Sequence, residues 1–260
     1  MTGTVPPYPT PHGLLCGKTV VVTASAGTGI GFATARRCVE ERAMVLLSDK
    51  HAERLGEYAT RLATVAGRMV PSRVCDVTRE TEVQSLLAYA IGELGHVDVW
   101  INNAGRGLTA SVIETSDAQW HAAIEVSLTA TFRCMRAAMR HMMARGTGAI
   151  VNVSSVVAWR AEADQAAYAA AKAGVLALTR TAAMEAAPHG VRVNAVVPTL
   201  ALHENVVKVS SADYLARMTA LQALGRAAEP WEVANVIVFL ASDLASYMTG
   251  EAVAVSNQHP

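Results

Sequence analysis

The sequence predicts an α/β protein whose parallel sheet is covered by helices on both faces. Short β-branched runs alternate with segments of helical periodicity from residue 18 onward, and the runs are almost entirely apolar. Strands that are buried on both faces have this composition, and parallel strands are usually connected through a helix. Right-handed crossovers then favour the doubly wound strand order 3-2-1-4-5-6, which a seventh strand extends.

The predicted elements follow one another without a break. The strands are placed at residues 19–24, 43–49, 69–76, a run ending at 102, 149–155, 191–198 and 251–256. The helices are placed near 30–41 and at 52–66, 79–94, 117–144 (as one long helix), 166–187 and 230–241. Pro230 begins the last of these, as proline at a first helical position often does. Residues 199–225 are predicted to be irregular.

No linker divides the chain, so we expect one domain over residues 17–260. A Pro-rich stretch at residues 1–16 precedes it, and we expect this N-terminal arm to be loose. Lys plus Arg equals Asp plus Glu at 22 each, so no net field attracts nucleic acid or an anionic membrane surface. No stretch approaches the roughly 18 uncharged apolar residues of a membrane span.

The cysteines predict a reducing compartment. Cys16, Cys38, Cys75 and Cys134 lie far apart, without CxxC or metal-ligand spacing. Such residues are typical of free thiols rather than of a secreted disulfide scaffold or a metal site. We therefore expect a cytoplasmic protein without a bound metal.

Tyr168 and Lys172 are the candidate acid–base pair. They stand four residues apart on an Ala-rich predicted helix, so the two side chains share a helix face. A nearby ammonium favours phenolate, which is expected to lower the tyrosine pKa toward working pH. Ser155, at the end of the preceding strand, could hold a substrate oxygen. A tyrosine on such a helix is more often a packing residue, so the pair needs support from a cofactor site.

A glycine-rich turn follows the first strand and reads TASAGTGIG over residues 23–31. Glycine lets the backbone approach a pyrophosphate, and the following helix N-terminus favours an anion. Asp49 ends the second strand, where a carboxylate can accept both ribose hydroxyls of NAD and would repel the 2′-phosphate of NADP. Lys50 could soften this discrimination, and Asp49 could instead cap a turn. Asp76 could reach adenine or start a helix cap, and the residues leave both open.

These motifs, taken in order, resemble the short-chain dehydrogenase/reductase family from about residue 14 to the end. The resemblance rests on the glycine-rich turn, Asp76, the Asn-Asn-Ala-Gly run at 102–105, Ser155, Tyr168 with Lys172, and Pro198. It implies a Rossmann fold and hydride transfer between an alcohol or ketone and a nicotinamide coenzyme, with NAD expected and NADP possible. It implies catalytic roles for Ser155, Tyr168, Lys172 and Ser127. The implied coenzyme contacts are Ser25, Thr28, Gly29, Ile30, Asp49, Asp76, Val77, Asn103, Ala104, Gly105, Tyr168, Lys172, Pro198, Thr199 and Ala201.

The chain departs from the family pattern at four places. The usual Thr-Gly opening of the turn is Thr23-Ala24, and the family's helix asparagine falls at Ser127, which puts the role of Ser127 in doubt. The usual Pro-Gly is Pro198-Thr199, and the threonine that often contacts the carboxamide is replaced near His203. The tail at 255–260 lacks the common Asp-Gly-Gly.

A narrower resemblance rests on HGLL, VVVTA, GRAAEPWEVA, TGE and the final QHP. These runs are similar to a sub-group of actinobacterial enzymes of steroid-ring catabolism. The resemblance implies a small-molecule substrate, a hydroxy-hydrindane acid or its coenzyme A ester, beneath a lid at about residues 199–225. A 3-oxoacyl-thioester reductase is the alternative, and a catalytically silent nucleotide-binding domain is a remote one. The family also implies a homotetramer or homodimer.

Overall fold

The computed structural model describes residues 4–107 and 109–257. The final QHP, which contributes to the narrower resemblance, lies outside the described residues.

All seven strands join one parallel sheet in the order β3-β2-β1-β4-β5-β6-β7. The strands are β1, Thr19–Val22; β2, Met44–Asp49; β3, Ser72–Val74; β4, Val99–Asn102; β5, Gly148–Val153; β6, Val191–Pro198; and β7, Ala252–Val255. The first strand pairs with both β2 and β4, so the strand order reverses between β1 and β4. The predicted doubly wound fold and its seven-stranded sheet are confirmed.

Helices cover both faces of this sheet. They are α1, Ile30–Glu40; α2, Ala52–Ala66; α3, Glu80–Leu94; α4, Asp117–Ile124; α5, Ala130–Arg145; α6, Ala166–Ala186; α7, Glu204–Val209; α8, Ala212–Ala220; and α9, Pro230–Ala241. Successive side chains of a strand point to opposite faces. Val20 and Val22 of β1 therefore pack in the core beneath α1, α2 and α9, and Val21 packs in the core beneath α3, α5 and α6.

The third strand is shorter than predicted because it lies at the edge of the sheet. Residues 69–76 were expected to be extended throughout, yet only Ser72–Val74 pair with β2. Pro71 has no amide proton to donate to a ladder, and the Met69 side chain is 86% exposed. Met69 therefore stays in solvent, whereas Val70 enters the core without joining the strand.

The predicted long helix over 117–144 is interrupted. A π-helical turn, Glu125–Thr129, separates α4 from α5. Such turns arise where one residue is added to a helix, and they are frequent at functional sites. The segment predicted to be irregular instead contains α7 and α8. Ser211 caps α8 by accepting a hydrogen bond from the Tyr214 amide, a local start signal in the sequence.

The N-terminal arm is not loose over its described residues. The Tyr8 ring lies 5.3 Å from the ring of Trp231 in α9. The Arg37 guanidinium donates to the carbonyls of Pro9 and Thr10. Glu41 accepts hydrogen bonds of 2.9 Å from the amides of His12 and Leu14. The arm is therefore bound to α1 and α9 by groups that the Pro-rich composition does not reveal.

No helix among the described residues is long and apolar enough to cross a membrane.

Glu41→Ala should lower the free energy of unfolding by about 3 kcal/mol, because it leaves a buried Arg37 without its carboxylate and frees two arm amides. The Arg37–Glu41 ion pair is 2.6 Å long, and its side chains are 5% and 0% exposed. Glu57→Ala is the control, because the 3.7 Å pair of Glu57 with Arg61 is exposed, and its loss should cost under about 1 kcal/mol. Urea denaturation measures both values, and equal losses would contradict the structural role of Glu41.

Candidate active site

A cleft of about 760 Å³ opens at the carboxyl ends of the strands. The glycine-rich turn after β1 forms one wall, and the segments after β4 and β5 form another. The segment after β6, from Pro198 to Val206, lies across from the turn. Parallel strands end at one edge of the sheet, so residues far apart in sequence meet there.

Most of the residues singled out from the sequence line this cleft. They are Gly29, Ile30, Asp49, Asp76, Val77, Asn103, Ala104, Gly105, Ser155, Tyr168, Lys172, Pro198, Thr199 and Ala201. The structure does not bring Ser25 to the cleft wall. Ser25 is fully buried, and its hydroxyl donates to the Ser48 carbonyl and accepts from the Ser48 amide. Ser25 thus binds the turn to β2.

The side-chain amide and the backbone amide of Asn103 hold the glycine-rich turn against the end of β4. Its Nδ2 donates to the carbonyl of Ala24 at 2.9 Å, and its backbone amide donates to Thr23 Oγ1 at 3.1 Å. A Cβ on Gly31 would lie 2.5 Å from both the Ala24 oxygen and Asn103 Nδ2. Gly31 is therefore required by close packing at this point.

Ala24 adopts a left-handed conformation with φ of 49°. This is the position where the sequence departs from the usual Thr-Gly opening. An L-residue with a Cβ pays roughly 1–2 kcal/mol in this region, whereas glycine does not. The turn thus keeps its shape with alanine at an energetic cost.

Tyr168 lies at the cleft and is hydrogen-bonded to Ser155. Burial raises the pKa of Tyr168 from 10.0 to about 12, and the hydrogen bond with Ser155 opposes this rise. A buried phenolate loses the hydration that stabilises its charge. In the protein alone, the phenol is therefore protonated at neutral pH.

Lys172 is 2% exposed, and its Nζ donates to the Val153 carbonyl at 2.7 Å. The same nitrogen lies 5.6 Å from the centre of the Tyr168 ring. Burial lowers the pKa of Lys172 from 10.5 to about 8. The ammonium is thus charged at neutral pH but loses its proton far more readily than a surface lysine.

The expectation that Lys172 lowers the pKa of Tyr168 is wrong for the protein alone. Burial removes hydration from both groups and disfavours the charged form of each. For the phenol, burial outweighs the opposing hydrogen bond with Ser155, and the pKa moves upward.

Ser127 lies in the π-helical turn and is fully buried. Its hydroxyl accepts a hydrogen bond of 3.0 Å from the Arg106 amide, and its carbonyl accepts one of 3.0 Å from Thr131 Oγ1. The sequence put the role of Ser127 in doubt, because serine by its type alone does not produce a main-chain kink. The helix is distorted with serine in place, and the Ser127 hydroxyl fixes the loop after β4.

Asp49 ends β2 and Asp76 follows β3, and hydrogen bonds from neighbouring groups hold both carboxylates. Asp49 accepts hydrogen bonds from the amides of Ala26 and His51 and from Arg54 Nη2 at 3.3 Å. Asp76 accepts hydrogen bonds from the amide and hydroxyl of Thr78. Burial raises the pKa of Asp76, but these hydrogen bonds outweigh it and the net shift is downward. Asp76 thus makes the hydrogen bonds of a turn, one of the two roles that the sequence allowed, and it also lines the cleft.

Two contacts of the predicted site residues, one with Asp49 and one with Tyr168, were not predicted from the sequence. Arg54 of α2 forms an ion pair with Asp49. The signal in the sequence was a basic residue near the start of a helix that follows an acidic residue at the end of a strand. Tyr214 of α8 is close enough to Tyr168 to raise its pKa, and Tyr214 is itself hydrogen-bonded to Glu162. Only the tertiary packing of the lid places Tyr214 there.

The turn is suited to a dinucleotide pyrophosphate. Helix α1 begins after Gly29 without a side-chain cap, so its first amides face outward. Thr28 Oγ1 and His203 Nδ1 are buried and have no hydrogen-bond partner within the described ranges. Open amides at a helix N-terminus with nearby unsatisfied polar atoms are suited to binding an anion.

Lys172→Met should change how stability varies with pH. Between pH 8 and pH 10.5 the unfolded chain holds a proton on Lys172 that the folded chain has lost, so wild-type stability rises with pH there and is flat below. We expect the wild type to gain about 2 kcal/mol over the variant between pH 8 and about pH 9.5. Urea denaturation across this range tests the shift. Lys208→Met, at a residue with a 71% exposed side chain, should show the wild-type profile. Parallel profiles for Lys172→Met and the wild type would contradict the burial of the charge.

Comparisons with known proteins agree with this geometry. A family model described as enoyl-(acyl carrier protein) reductase matches residues 24–257. A Mycobacterium tuberculosis relative named (5R,7aS)-5-hydroxy-7a-methyl-1-oxo-2,3,5,6,7,7a-hexahydro-1H-indene-carboxyl-CoA reductase is 53% identical over 96% of this chain and 95% of its own length. The cis-4-hydroxycyclohexanecarboxylate dehydrogenase of Sinomonas cyclohexanicum is 44% identical over 91% of this chain and 94% of its own.

A solved structure, a short chain dehydrogenase from Mycobacterium smegmatis, superposes with a TM-score of 0.88 at 46% identity and covers 99% of both chains. The matches span nearly the whole length of each protein. The chain therefore belongs to the short-chain dehydrogenase/reductase family, and it is an NAD(P)-binding oxidoreductase that acts on CH–OH groups.

Proposed function

We propose that this enzyme interconverts a ring secondary alcohol and its ketone on an alicyclic carboxylic acid or its coenzyme A ester. The observation that carries the proposal is the high identity to two relatives whose names both describe a hydroxylated carbon ring bearing a carboxyl group. The narrower sequence resemblance, to enzymes of steroid-ring catabolism, supports a hydroxy-hydrindane substrate.

The cleft geometry supports a proton-transfer role for Tyr168. A phenol with a pKa of about 12 is protonated at neutral pH, so it can donate a proton to the oxygen of a ketone. Ser155, hydrogen-bonded to this phenol, is placed to hold the same oxygen. For ketone reduction, bound reduced nicotinamide would supply the hydride; for alcohol oxidation, the oxidised form would accept it and would add a positive charge that favours phenolate. The Lys172 ammonium adds positive charge near the phenol. The other coenzyme contacts proposed from the sequence line the cleft, except Ser25 and Thr28.

The dry environment of the pair has a chemical consequence. Charge that develops on the substrate oxygen is poorly screened there, so the Ser155 hydroxyl and the Tyr168 proton act on it more strongly than they would in water. The contact between Ser127 and Arg106 supports a positioning role for Ser127, which holds the loop after β4 beside Lys172.

Tyr168→Phe should reduce kcat by about 10²–10⁴ because the proton donor is lost, while coenzyme affinity stays close to that of the wild type. Stopped assays of turnover, with coenzyme binding measured by fluorescence, separate these effects. Tyr89→Phe, in α3 and outside the cleft lining, is the matched control and should retain full turnover. Turnover of Tyr168→Phe at the wild-type rate would remove the acid–base assignment.

A substrate panel tests the reaction. We expect a hydroxy-hydrindane carboxyl-CoA and its ketone to give the highest kcat/KM, followed by the free acid and by cis-4-hydroxycyclohexanecarboxylate. Absorbance at about 340 nm follows the reduced nicotinamide. The alternative function is reduction of a 3-oxoacyl thioester. A Thermotoga maritima relative named 3-oxoacyl-[acyl-carrier-protein] reductase is 36% identical over 92% of this chain, which favours including acetoacetyl-CoA. A higher kcat/KM for acetoacetyl-CoA than for every ring substrate would favour that alternative. Coenzyme binding without turnover of any substrate would favour the silent domain.

We propose NAD rather than NADP as the coenzyme. Asp49 is 6% exposed, lines the cleft at the end of β2 and is fixed by two backbone amides. A carboxylate in this position accepts ribose hydroxyls and repels a 2′-phosphate. Lys50 and Arg54 also line this part of the cleft, so the local charge is mixed.

Asp49→Ala should therefore weaken NAD binding and strengthen NADP binding, because Arg54 would be freed to meet the 2′-phosphate. We expect the ratio of the two dissociation constants to shift by at least about tenfold toward NADP. The double variant Asp49→Ala, Arg54→Ala is the control, and it should lose the gain for NADP. An unchanged ratio in Asp49→Ala would show that the carboxylate does not face the ribose.

We further propose a cytoplasmic homotetramer, with a homodimer as the alternative. The described cysteines are free thiols, which supports a reducing compartment. Phe132 of α5 and Met184 of α6 are 41% and 77% exposed, which supports a subunit contact through these helices.

A further inference from the structure

The ring of His203 lies directly against the glycine-rich turn. A Cβ built on Gly29 would be 3.2 Å from both Cε1 and Nε2 of His203. Two residues further along the lid, Asn205 Nδ2 would be 3.5 Å from a Cβ on Gly27. His203 precedes α7, so the start of the lid is in contact with the turn that opens α1.

The His203 imidazole also carries an unsatisfied polar atom. Its Nδ1 is buried and has no hydrogen-bond partner in the part of the chain that the structure describes. Burial lowers the pKa of His203, so the ring is neutral at pH 7 and offers one N–H donor and one acceptor nitrogen. An unpaired buried polar atom of this kind costs free energy.

The position of the ring indicates which ligand group it meets. Gly29 is the residue before α1, whose first amides have no side-chain cap. This helix end carries the positive pole of the helix and favours an anion. Because the edge of the ring that bears Nε2 faces Gly29, a phosphate bound on these amides would lie within reach of an imidazole N–H.

We propose that His203 donates a hydrogen bond to the pyrophosphate of the bound dinucleotide and thereby fastens the lid to the coenzyme. This proposal rests on the proposed function, which requires a dinucleotide at this turn. The same lid carries Val206 on the cleft wall and Tyr214 near enough to Tyr168 to raise its pKa. Coenzyme binding would therefore hold this part of the lid over the cleft.

Equilibrium binding in the absence of substrate tests the bond. NADH is titrated by its fluorescence, and ADP-ribose and adenosine are measured by displacement of NADH. His203→Ala should lower the affinity for NADH and for ADP-ribose by about tenfold or more, because a hydrogen bond to a charged group is lost. The affinity for adenosine should stay unchanged. His189→Ala, at an exposed residue after α6, is the control and should bind all three as the wild type does.

Two conservative variants identify the donor atom. Glutamine places an amide N–H near the position of Nε2, and asparagine places one near Nδ1. Recovery of NADH affinity in His203→Gln or in His203→Asn supports a direct hydrogen bond. Affinities as low as that of His203→Ala in both variants would show that the shape of the ring holds the lid, and would overturn the proposal. Circular dichroism confirms that each variant is folded.

Limited proteolysis reports on the lid itself. Lys208 and Arg217 have side chains that are 71% and 63% exposed, so trypsin can cut within the lid. NADH should slow this cleavage in the wild type and much less in His203→Ala. Equal protection of the two proteins, or an equal loss of adenosine affinity in the variant, would overturn the role of His203. Failure of NADH to bind the wild type would instead overturn the proposed function, so the two failures are distinguishable.

Discussion

The hydrogen bonds of Asn103 join the two halves of the sheet at the point where the strand order reverses. One side chain from the end of β4 binds two consecutive carbonyls of the turn after β1, at 3.3 and 2.9 Å. The amide can reach these oxygens only because Gly31 leaves the space beneath them open. This contact fixes the turn against the end of β4.

Desolvation is the second organising effect, and it acts on both members of the acid–base pair. The phenol of Tyr168 becomes harder to ionise, and the ammonium of Lys172 becomes easier to neutralise. Burial thus moves the two pKa values apart, that of Tyr168 from 10.0 to about 12 and that of Lys172 from 10.5 to about 8. The Val153 carbonyl accepts a hydrogen bond from Lys172, and Ser155 is hydrogen-bonded to Tyr168. These two contacts partly offset the loss of hydration. Additional positive charge in the cleft would then have a large effect on the phenol, because little water is present to screen it.

Features of the fold that depend on periodicity could be predicted from the sequence. The helices at 52–66 and 230–241 and the strand at 191–198 have the bounds predicted for them, because each carries its own start or stop signal. The strand order followed from the alternation of strands and helices and from the handedness of the crossovers. The grouping of Ser155, Tyr168 and Lys172 at one cleft follows from their placement at the end of one strand and on one helix face.

Features that depend on tertiary contacts could not be predicted. The Pro-rich composition predicted that residues 1–16 are loose. In the structure, buried Arg37 of α1 and Glu41, the C-cap of that helix, bind the described part of the arm. The π-helical turn around Ser127 is stabilised by contacts with the loop after β4, more than twenty residues away in sequence. The direction of the Tyr168 pKa depends on how much water the pocket admits, which a spacing of four residues does not reveal. For the same reason, the sequence did not show that Arg54 pairs with Asp49, or that Tyr214 lies near enough to Tyr168 to raise its pKa.

Several energetically unfavourable features lie at or near the cleft. Ala24 is in a left-handed conformation, Lys172 is buried, and His203 and Thr28 carry buried polar atoms with no partner in the described parts of the chain. Each costs about 1 kcal/mol or more, and three of them, Ala24, Thr28 and His203, belong to the glycine-rich turn or contact it. The opposing stabilisation comes from elsewhere, from the two apolar cores and from the arm that is bound to α1 and α9. A ligand with an anionic group on the turn and a cationic ring near the phenol would relieve several of these costs at once. Part of its binding free energy would then come from strain and unsatisfied bonds already present in the protein.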